Sequence, residues 1–219
     1  MKASNALGLP IIFALLAIMA TFASPSSAQP LKYQEGKHYQ VIKSPAKTSN
    51  ADKIEVMEVF WYGCPHCNLF QADFAEWSKT QSGDVDIDHT PAMWSKPMVT
   101  HAQIYYTAKA LRLEKKMHKE IFAAMHSEKK RLLSEQQIFG LFEKHGITKE
   151  TFEKTYNSFG VKSQVQQANA RTRAYGISGT PEVIVNGKYR VSSRTAGSQA
   201  EMLNVINYLV AKERAINKS

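Results

Sequence analysis

The chain has 219 residues, of which 43% are hydrophobic and 21% charged, and its formal net charge is +9. This composition is ordinary for a soluble globular protein, and it excludes a chain that needs metals or many disulfides to form its core. The basic residues are scattered, and the densest cluster, at 129–131, lies in a helical pattern. A solvated helix face explains this cluster better than a nucleic-acid site, so we expect no nucleic-acid partner.

The first 28 residues are typical of a secretory signal peptide. Lys2 provides a positive start, an apolar run follows at 11–22, and small residues precede a cleavage point after Ala28. The apolar run is short for a membrane-spanning helix, which needs about 20 residues. We therefore expect cleavage after Ala28, export to the periplasm, and a mature protein with a net charge of +8 because Lys2 is lost.

The first part of the mature chain alternates strand and helix patterns. Residues 39–42 predict a short edge strand, and the almost continuous apolar run at 54–61 predicts a central strand. A helix is expected from the turn at 62–63 onward, ending near Gly83. Residues 85–88 predict a second core strand.

From about residue 94 to 161 only helical patterns occur. Ser134 and Gln137 have the spacing of a capping box, with a stop expected at Gly146, and Thr148 is placed to start the next helix. A further helix is expected at 163–175, before Gly176.

Strand patterns return near the end of the chain. The segments 182–185 and 188–191 flank Asn186 and Gly187, a strong hairpin signal, and Ser198 predicts the start of a final helix. The order of elements predicts an α/β protein, a thioredoxin fold with an inserted all-helical domain. The expected division is a thioredoxin-like domain at 29–93 and 162–219 and a helical insertion domain at 94–161.

Cys64 and Cys67 are the two cysteines of the chain, and two residues separate them. A disulfide that closes so short a loop stabilises little, so this spacing favours redox chemistry over a structural disulfide. A zinc site would need a second pair of ligands, and the other histidines are scattered along the sequence. A c-type haem site would need histidine at position 68, which is Asn68. We expect neither a metal nor a cofactor.

The redox interpretation gives each residue of the motif a role. Cys64 is expected at a helix N-terminus, where the helix dipole and free N–H groups stabilise a thiolate. His66 adds a positive charge or a hydrogen bond, and Pro65 suits the first helical turn. Cys67 lies one turn later on the apolar face and is expected to be the more buried partner.

Two further features are candidates for the site. Thr180 and Pro181 directly precede a predicted strand, and in thioredoxin-like proteins this position resembles the cis-proline loop that faces the C-x-x-C motif. The Thr180 backbone would then be free to pair with an extended substrate. Glu58, on the central strand, is either a solvated side chain or a partly buried acid that exchanges a proton with Cys67, and we expect the acid.

These stretches together resemble the DsbA family of thiol–disulfide oxidoreductases. The residues that carry the resemblance span the mature chain and lie at 36–39, 59–67, 155–159 and 185–190. Proline and histidine between the cysteines are the usual and quite specific choice of this family.

The resemblance implies a periplasmic oxidase that passes a disulfide to newly exported, reduced and unfolded proteins. It implies reoxidation by a DsbB-like membrane quinone reductase, and we expect a monomer whose only membrane-related contact is a transient one with that membrane protein. It makes Cys64 the nucleophile, Cys67 its redox partner, Pro181 the cis-proline and Glu58 the buried acid, with His66 setting the pKa of Cys64.

One residue departs from the family pattern. Many members have valine before the cis-proline, whereas this chain has Thr180, as related isomerases do. A disulfide isomerase or reductase of the same fold therefore remains an alternative, as does a periplasmic chaperone. A kappa-type glutathione transferase shares the plan but does not use an exported C-x-x-C motif.

Overall fold

A computed structural model describes residues 32–217 of the chain. The predicted signal peptide at 1–28 lies outside this range. The described residues form five strands and eight helices, which in chain order are β1 (Gln40–Val41), β2 (Ile54–Phe60), α1 (Pro65–Lys79), β3 (Val85–Pro91), α2 (Lys96–Ala110), α3 (Glu114–His126), α4 (Glu135–Glu143), α5 (Lys149–Tyr156), α6 (Phe159–Ala174), β4 (Glu182–Val185), β5 (Tyr189–Ser192), α7 (Ser193–Ala196) and α8 (Gln199–Ile216). None of the helices within 32–217 is long and apolar enough to cross a bilayer.

The strands form one mixed sheet in the order β1-β5-β4-β2-β3. Every residue of β2 is buried, because the strand lies between two neighbours and both of its faces are covered. The prediction of a central strand here is confirmed, as is the prediction of an edge strand at β1. β2 runs parallel to β3 and antiparallel to β4, and this places the chain turn after β2 beside the loop that leads into β4.

β3 differs from its prediction as a core strand. It is three residues longer than expected, forms the opposite edge of the sheet, and is only partly buried between Asp86 and His89. Its aspartates explain the edge position, since Asp88 pairs with Lys109 at 2.9 Å and with Arg171 at 3.8 Å. Charged side chains with partners at the surface suit an edge strand better than a buried one.

The helices from α2 to α6, called here the helical segment, follow the predicted pattern, except that one of them begins earlier than predicted. α4 begins after Ser134 and α5 after Thr148, and each of these side chains accepts the backbone N–H three residues later. α6 begins four residues before the predicted start, because the Ser158 hydroxyl caps it by accepting the N–H of Val161. The predicted domain boundary at 161/162 falls inside this helix, and the division into two domains stays a prediction.

The hairpin between β4 and β5 forms as predicted. Asn186 and Gly187 both have positive φ, at 51° and 64°, the values that a tight two-residue hairpin turn requires. Ser198 caps α8 as expected. The short helix α7 was not predicted, since its four residues carry no hydrophobic periodicity.

Apolar side chains cover both faces of the sheet. Val56 and Val183 pack with Phe70 and Phe74 of α1 and with α8 on one face, while Met57 lies in the cluster on the other. At the end of β2, Phe60 and Cys67 belong to a third cluster that continues into the core of the helical segment. The cysteine motif therefore lies where the sheet and the helical segment meet.

Candidate active site

The two cysteines lie where β2 ends and α1 begins. Cys64 is the N-cap of α1, and its sulfur accepts the backbone N–H of Cys67 at 3.4 Å. Pro65 occupies the first helical position, where a missing N–H is harmless. Both cysteines are free thiols in the structure. Helix geometry thus places the Cys64 sulfur against the unpaired N–H groups of the first turn, as predicted.

The environments of the two thiols differ sharply. Hydrogen bonds from the Cys67 thiol, from the Thr180 side chain and from the backbone N–H groups of Cys67 and His66 lower the pKa of Cys64 to about 5, although burial opposes this shift. Burial raises the pKa of Cys67 far above its ordinary value. Cys64 retains 8% exposure and Cys67 none. One thiol is therefore an accessible thiolate, and the other is a buried thiol that holds its proton.

Pro65 and His66 are both exposed at the start of α1. The contact through which His66 stabilises the Cys64 thiolate is its backbone N–H rather than its ring. Its carbonyl accepts a hydrogen bond of 2.7 Å from Gln199 at the start of α8. The structure thus ties the motif to the last helix through the backbone of His66.

The loop before β4 faces the motif. The bond between Thr180 and Pro181 is cis, and the Thr180 carbonyl oxygen lies 3.3 Å from the Cys64 sulfur. A cavity of about 180 Å³ opens beside this loop, lined by Gln40, Ser178, Gly179, Thr180, Pro181, Glu182, Arg190, Ser192, Ser193, Arg194 and Thr195. An extended chain bound along the loop would place its own sulfur beside Cys64.

Glu58 is fully buried on β2. Neither of its carboxylate oxygens has a hydrogen-bond partner. Burial raises the pKa of Glu58 to about 8, and the negative charge of Cys64 adds to this effect. Glu58 in turn contributes to the raised pKa of Cys67. The interpretation of Glu58 as a solvated side chain is thereby ruled out.

Two histidines that the sequence left unassigned lie beside Glu58. His89 is its register partner across β2 and β3, with Nε2 3.6 Å from a carboxylate oxygen. His118 reaches the same place from α3. Their sequence positions gave no signal, because the three residues come from three separate elements and only the register of the strands and the docking of α3 bring them together.

These three side chains are the set within 32–217 whose metal-ligand atoms all lie within 4.8 Å of one another. A closed zinc site takes four ligands and an open catalytic one takes three plus a water, and this set supplies three. The cluster lies next to the buried thiol, whose chemistry involves a proton. Three titratable groups beside this thiol can exchange protons with it.

Aromatic contacts hold the turn between β2 and α1. The Trp61 indole donates to Nδ1 of His101 at 2.9 Å, and the other ring nitrogen of His101 donates to the carbonyl of Arg131 at 3.0 Å. The indole also lies so close to Gly63 that a Cβ there would approach the ring to 2.3 Å. Glycine is therefore required directly before Cys64, and the helical segment fixes the position of Trp61.

Comparisons of this chain with a family model and with known proteins agree on one family. A family model described as a DSBA-like thioredoxin domain matches residues 80–204. The thiol:disulfide interchange protein DsbA of Pseudomonas aeruginosa is 38% identical, over 95% of this chain and 98% of the relative. The DsbA of Azotobacter vinelandii is 36% identical, over 94% of this chain and 97% of the relative.

Solved structures agree with the sequence relatives. The crystal structure of Pseudomonas aeruginosa DsbA superposes with a TM-score of 0.81 at 38% identity, covering 85% of this chain and 97% of that one. The oxidoreductase DsbA from Xylella fastidiosa gives 0.79 at 29% identity, covering 84% and 98%. The predicted fold class is confirmed: the chain has a thioredoxin fold with a helical insertion.

Proposed function

Because the chain belongs to the DsbA family of thiol–disulfide oxidoreductases, we propose that it donates a disulfide formed between Cys64 and Cys67 to newly exported proteins. The observation that carries this proposal is the position of Cys64 as N-cap of α1, where hydrogen bonds lower its pKa to about 5. A thiolate stabilised only in the reduced protein favours reduction of the disulfide. The oxidised protein is then a strong oxidant of other thiols.

The transfer proceeds by two thiolate attacks. A substrate thiolate attacks the Cys64 sulfur, the bond between the cysteines breaks, and Cys67 leaves with the electron pair. A second substrate thiolate then attacks the substrate sulfur of this mixed disulfide and releases Cys64 as a thiolate. The substrate loses two electrons and gains a disulfide, while the two cysteines gain these electrons.

The remaining site residues support these two steps. Thr180 and Pro181 hold the substrate backbone, because their loop lies 3.3 Å from the attacked sulfur. Glu58 supplies the proton that Cys67 needs as it leaves, which fits the raised pKa of this buried carboxyl. His66 stabilises the Cys64 thiolate through its backbone N–H, and Pro65 fixes the helical turn that presents it.

The wider setting follows from the same family. The proposal includes export to the periplasm by a cleaved signal peptide at 1–28, function as a monomer, and reduced unfolded proteins as substrates. A DsbB-like membrane quinone reductase would reoxidise the dithiol. No resident cofactor or metal is needed, because the cysteines carry the electrons.

The first test is the reduction potential of the Cys64–Cys67 pair. The purified protein is equilibrated with glutathione buffers, and the oxidised fraction is read by mass spectrometry and by Trp fluorescence. We expect a couple much more oxidising than that of thioredoxin, and stoichiometric oxidation of a reduced unfolded protein. A reducing value would refute the oxidase and favour the isomerase or reductase alternative, in which Thr180 would matter more.

Cys64→Ser provides the matched control. This variant should lose disulfide donation completely, because no disulfide can form within the motif. Cys67→Ser should instead capture a substrate or glutathione as a stable mixed disulfide on Cys64. Disulfide donation that survives in Cys64→Ser would refute the assignment of the transfer to this motif, and binding of unfolded chains that survives there would favour the chaperone alternative.

A further inference from the structure

The buried acid of the active site has no polar partner within hydrogen-bond distance. Glu58 is fully buried, and both of its carboxylate oxygens lack hydrogen bonds. The nearest ring nitrogens belong to His89 and His118, and these atoms and the carboxylate oxygen lie within 4.8 Å of one another. A group in this position can exchange protons with water only through its neighbours.

The two histidines lie between Glu58 and the solvent. The His89 side chain is 29% exposed, whereas that of Glu58 has no exposure, and His118 is also partly exposed. The two imidazole rings are neighbours, with centroids 5.0 Å apart. A path of titratable groups therefore leads from the buried carboxyl to the surface.

The chemistry of the cysteine pair requires a proton at this place. When the disulfide is attacked at Cys64, Cys67 leaves as a thiolate in a fully buried position. Burial strongly disfavours that charge, so Cys67 must gain a proton. A protonated Glu58 can supply it, and Glu58 then needs a replacement from solvent before the next turnover.

We propose that His89 and His118 carry the proton between solvent and Glu58, and so act as positioning residues for the protonation of Cys67. This inference rests on the proposed function. In each reduction, one proton moves from Glu58 to the Cys67 sulfur, and one proton enters from water through an imidazole to restore the carboxyl. Reoxidation of the dithiol sends one proton outward by the same route.

The orientation of His118 supports this role. The Tyr62 hydroxyl lies 3.1 Å from its Nδ1. With this hydroxyl donating to Nδ1, the ring proton sits on Nε2, which has no hydrogen-bond partner. A free N–H on a ring beside an unpaired carboxylate is the arrangement that proton donation needs.

Burial keeps both histidines neutral at neutral pH. Burial lowers the pKa of His89 to about 4, with Lys109 adding to the shift and Asp88 opposing it, and burial lowers the pKa of His118 well below its usual value. The other titratable groups around this cluster are Cys64, Cys67, Tyr62, Tyr105 and Glu114. A neutral imidazole can accept a proton on one nitrogen and donate from the other, so it passes a proton without holding a charge.

The test measures steady-state turnover of the mature protein in the presence of EDTA, with a reduced dithiol peptide as substrate and glutathione disulfide as oxidant, because Glu58 must regain its proton in every cycle. The variants are His89→Ala and His118→Gln. The control is His145→Gln, which removes a histidine that is paired with Glu120 at 2.8 Å and does not belong to the cluster around Glu58. We expect the first two to slow steady-state turnover about 10-fold near pH 7, and the control to leave the turnover rate unchanged.

Chemical rescue separates proton transfer from a structural role. Added imidazole should restore most of the rate in His89→Ala, because that position opens to solvent, and it should not restore Glu58→Gln. The solvent isotope effect on this rate should be larger in His89→Ala than in the unaltered protein, and it should fall again when imidazole is added. The reduction potential should stay that of the unaltered protein in both histidine variants.

Two results would overturn the proposal. One is an unchanged rate in the double variant of His89 and His118. The other is a reduced rate in His89→Ala that added imidazole does not restore. Failure of the proposed function would look different, because the unaltered protein itself would then give a reducing potential and fail to oxidise a reduced substrate.

Discussion

Two buried glutamates, one on a helix and one on the sheet, show how hydrogen-bond partners decide the protonation state of a carboxyl. Glu213 on α8 and Glu58 on β2 are both fully buried. Glu213 accepts a hydrogen bond of 2.6 Å from Lys188 and another from Asn186, both next to the hairpin turn. Glu58 accepts none. Equal burial therefore has opposite electrostatic results in the two places.

The pKa values follow these contacts. Burial alone would raise the pKa of Glu213, but hydrogen bonds from Lys188 and Asn186 outweigh it, and the pKa is lowered. Without such partners, burial raises the pKa of Glu58 to about 8. The first carboxylate joins a helix to a hairpin. The second can hold and release a proton near pH 7, and it lies beside the thiol that needs one.

The largest expected difference between the two glutamates is in how each makes the stability of the protein depend on pH. The folded-state pKa of Glu58 lies at about 8, above its ordinary value of 4.5, so the folded protein binds more protons between these values. The free energy of unfolding should therefore fall as pH rises from about 4.5 to 8, by roughly 4 kcal/mol at about 1.4 kcal/mol per pKa unit. Urea unfolding of the oxidised protein and of Glu58→Gln at several pH values measures this loss.

In Glu58→Gln this component should disappear, because the amide does not titrate. The oxidised form is used so that the thiols add no titration of their own. If the two proteins gave parallel curves of stability against pH, Glu58 would not be the shifted group.

A smaller effect is expected at Glu213. Glu213→Gln removes the charge that Lys188 pairs with, and should cost about 2 kcal/mol at pH 7, since Lys188 can still reach water. Because the pKa of Glu213 is lowered, its contribution is present at neutral pH and is lost as pH falls below about 4.5. The rate of disulfide exchange should not change.

Glu76→Gln is the matched control for this substitution. Its pair with Lys79 has the same 2.6 Å length but is largely exposed, so its loss should cost less than about 0.5 kcal/mol. A similar cost for both variants would mean that burial does not separate the two pairs.

The smallest expected effect concerns a thiol, whose pKa is lowered by hydrogen bonds as that of Glu213 is. Absorbance of the reduced protein near 240 nm should show Cys64 ionising at about pH 5. Thr180→Val removes one of several hydrogen bonds to this sulfur and keeps the side-chain shape, so the midpoint should rise by about one unit or less. A midpoint that stays fixed would assign the shift entirely to Cys67 and to the backbone of α1.

Much of the site could be predicted from the sequence because its signals are local. The C-x-x-C motif after an apolar strand predicts a thiol at a helix N-terminus, and Cys64 is the N-cap of α1. The Pro181 position was predicted from its place before β4, and Glu58 from its place among apolar residues of β2. The inferences on Cys64 and Glu58 use residues within a few positions of one another, whereas the assignment of Pro181 as a cis-proline also used the resemblance to thioredoxin-like proteins.

The errors and omissions lie where distant segments meet. β3 was expected in the core but forms an edge, where Asp88 pairs with Lys109 and Arg171 from the helical segment. His89 and His118 were left as scattered residues. Nothing near either of them in the sequence indicates that β3 and α3 bring both rings to Glu58.

The sequence by itself determined the local structure and the reactive groups: the strand before Cys64, the helix that it caps, and the turn at Asn186 and Gly187. Backbone preferences and capping act over two to four residues, so these features can be read directly from neighbouring positions. Only the tertiary structure decided which buried acid gained partners and which stayed unpaired. That outcome depends on strand register and helix docking, which bring together residues as far apart as Glu58 and His118.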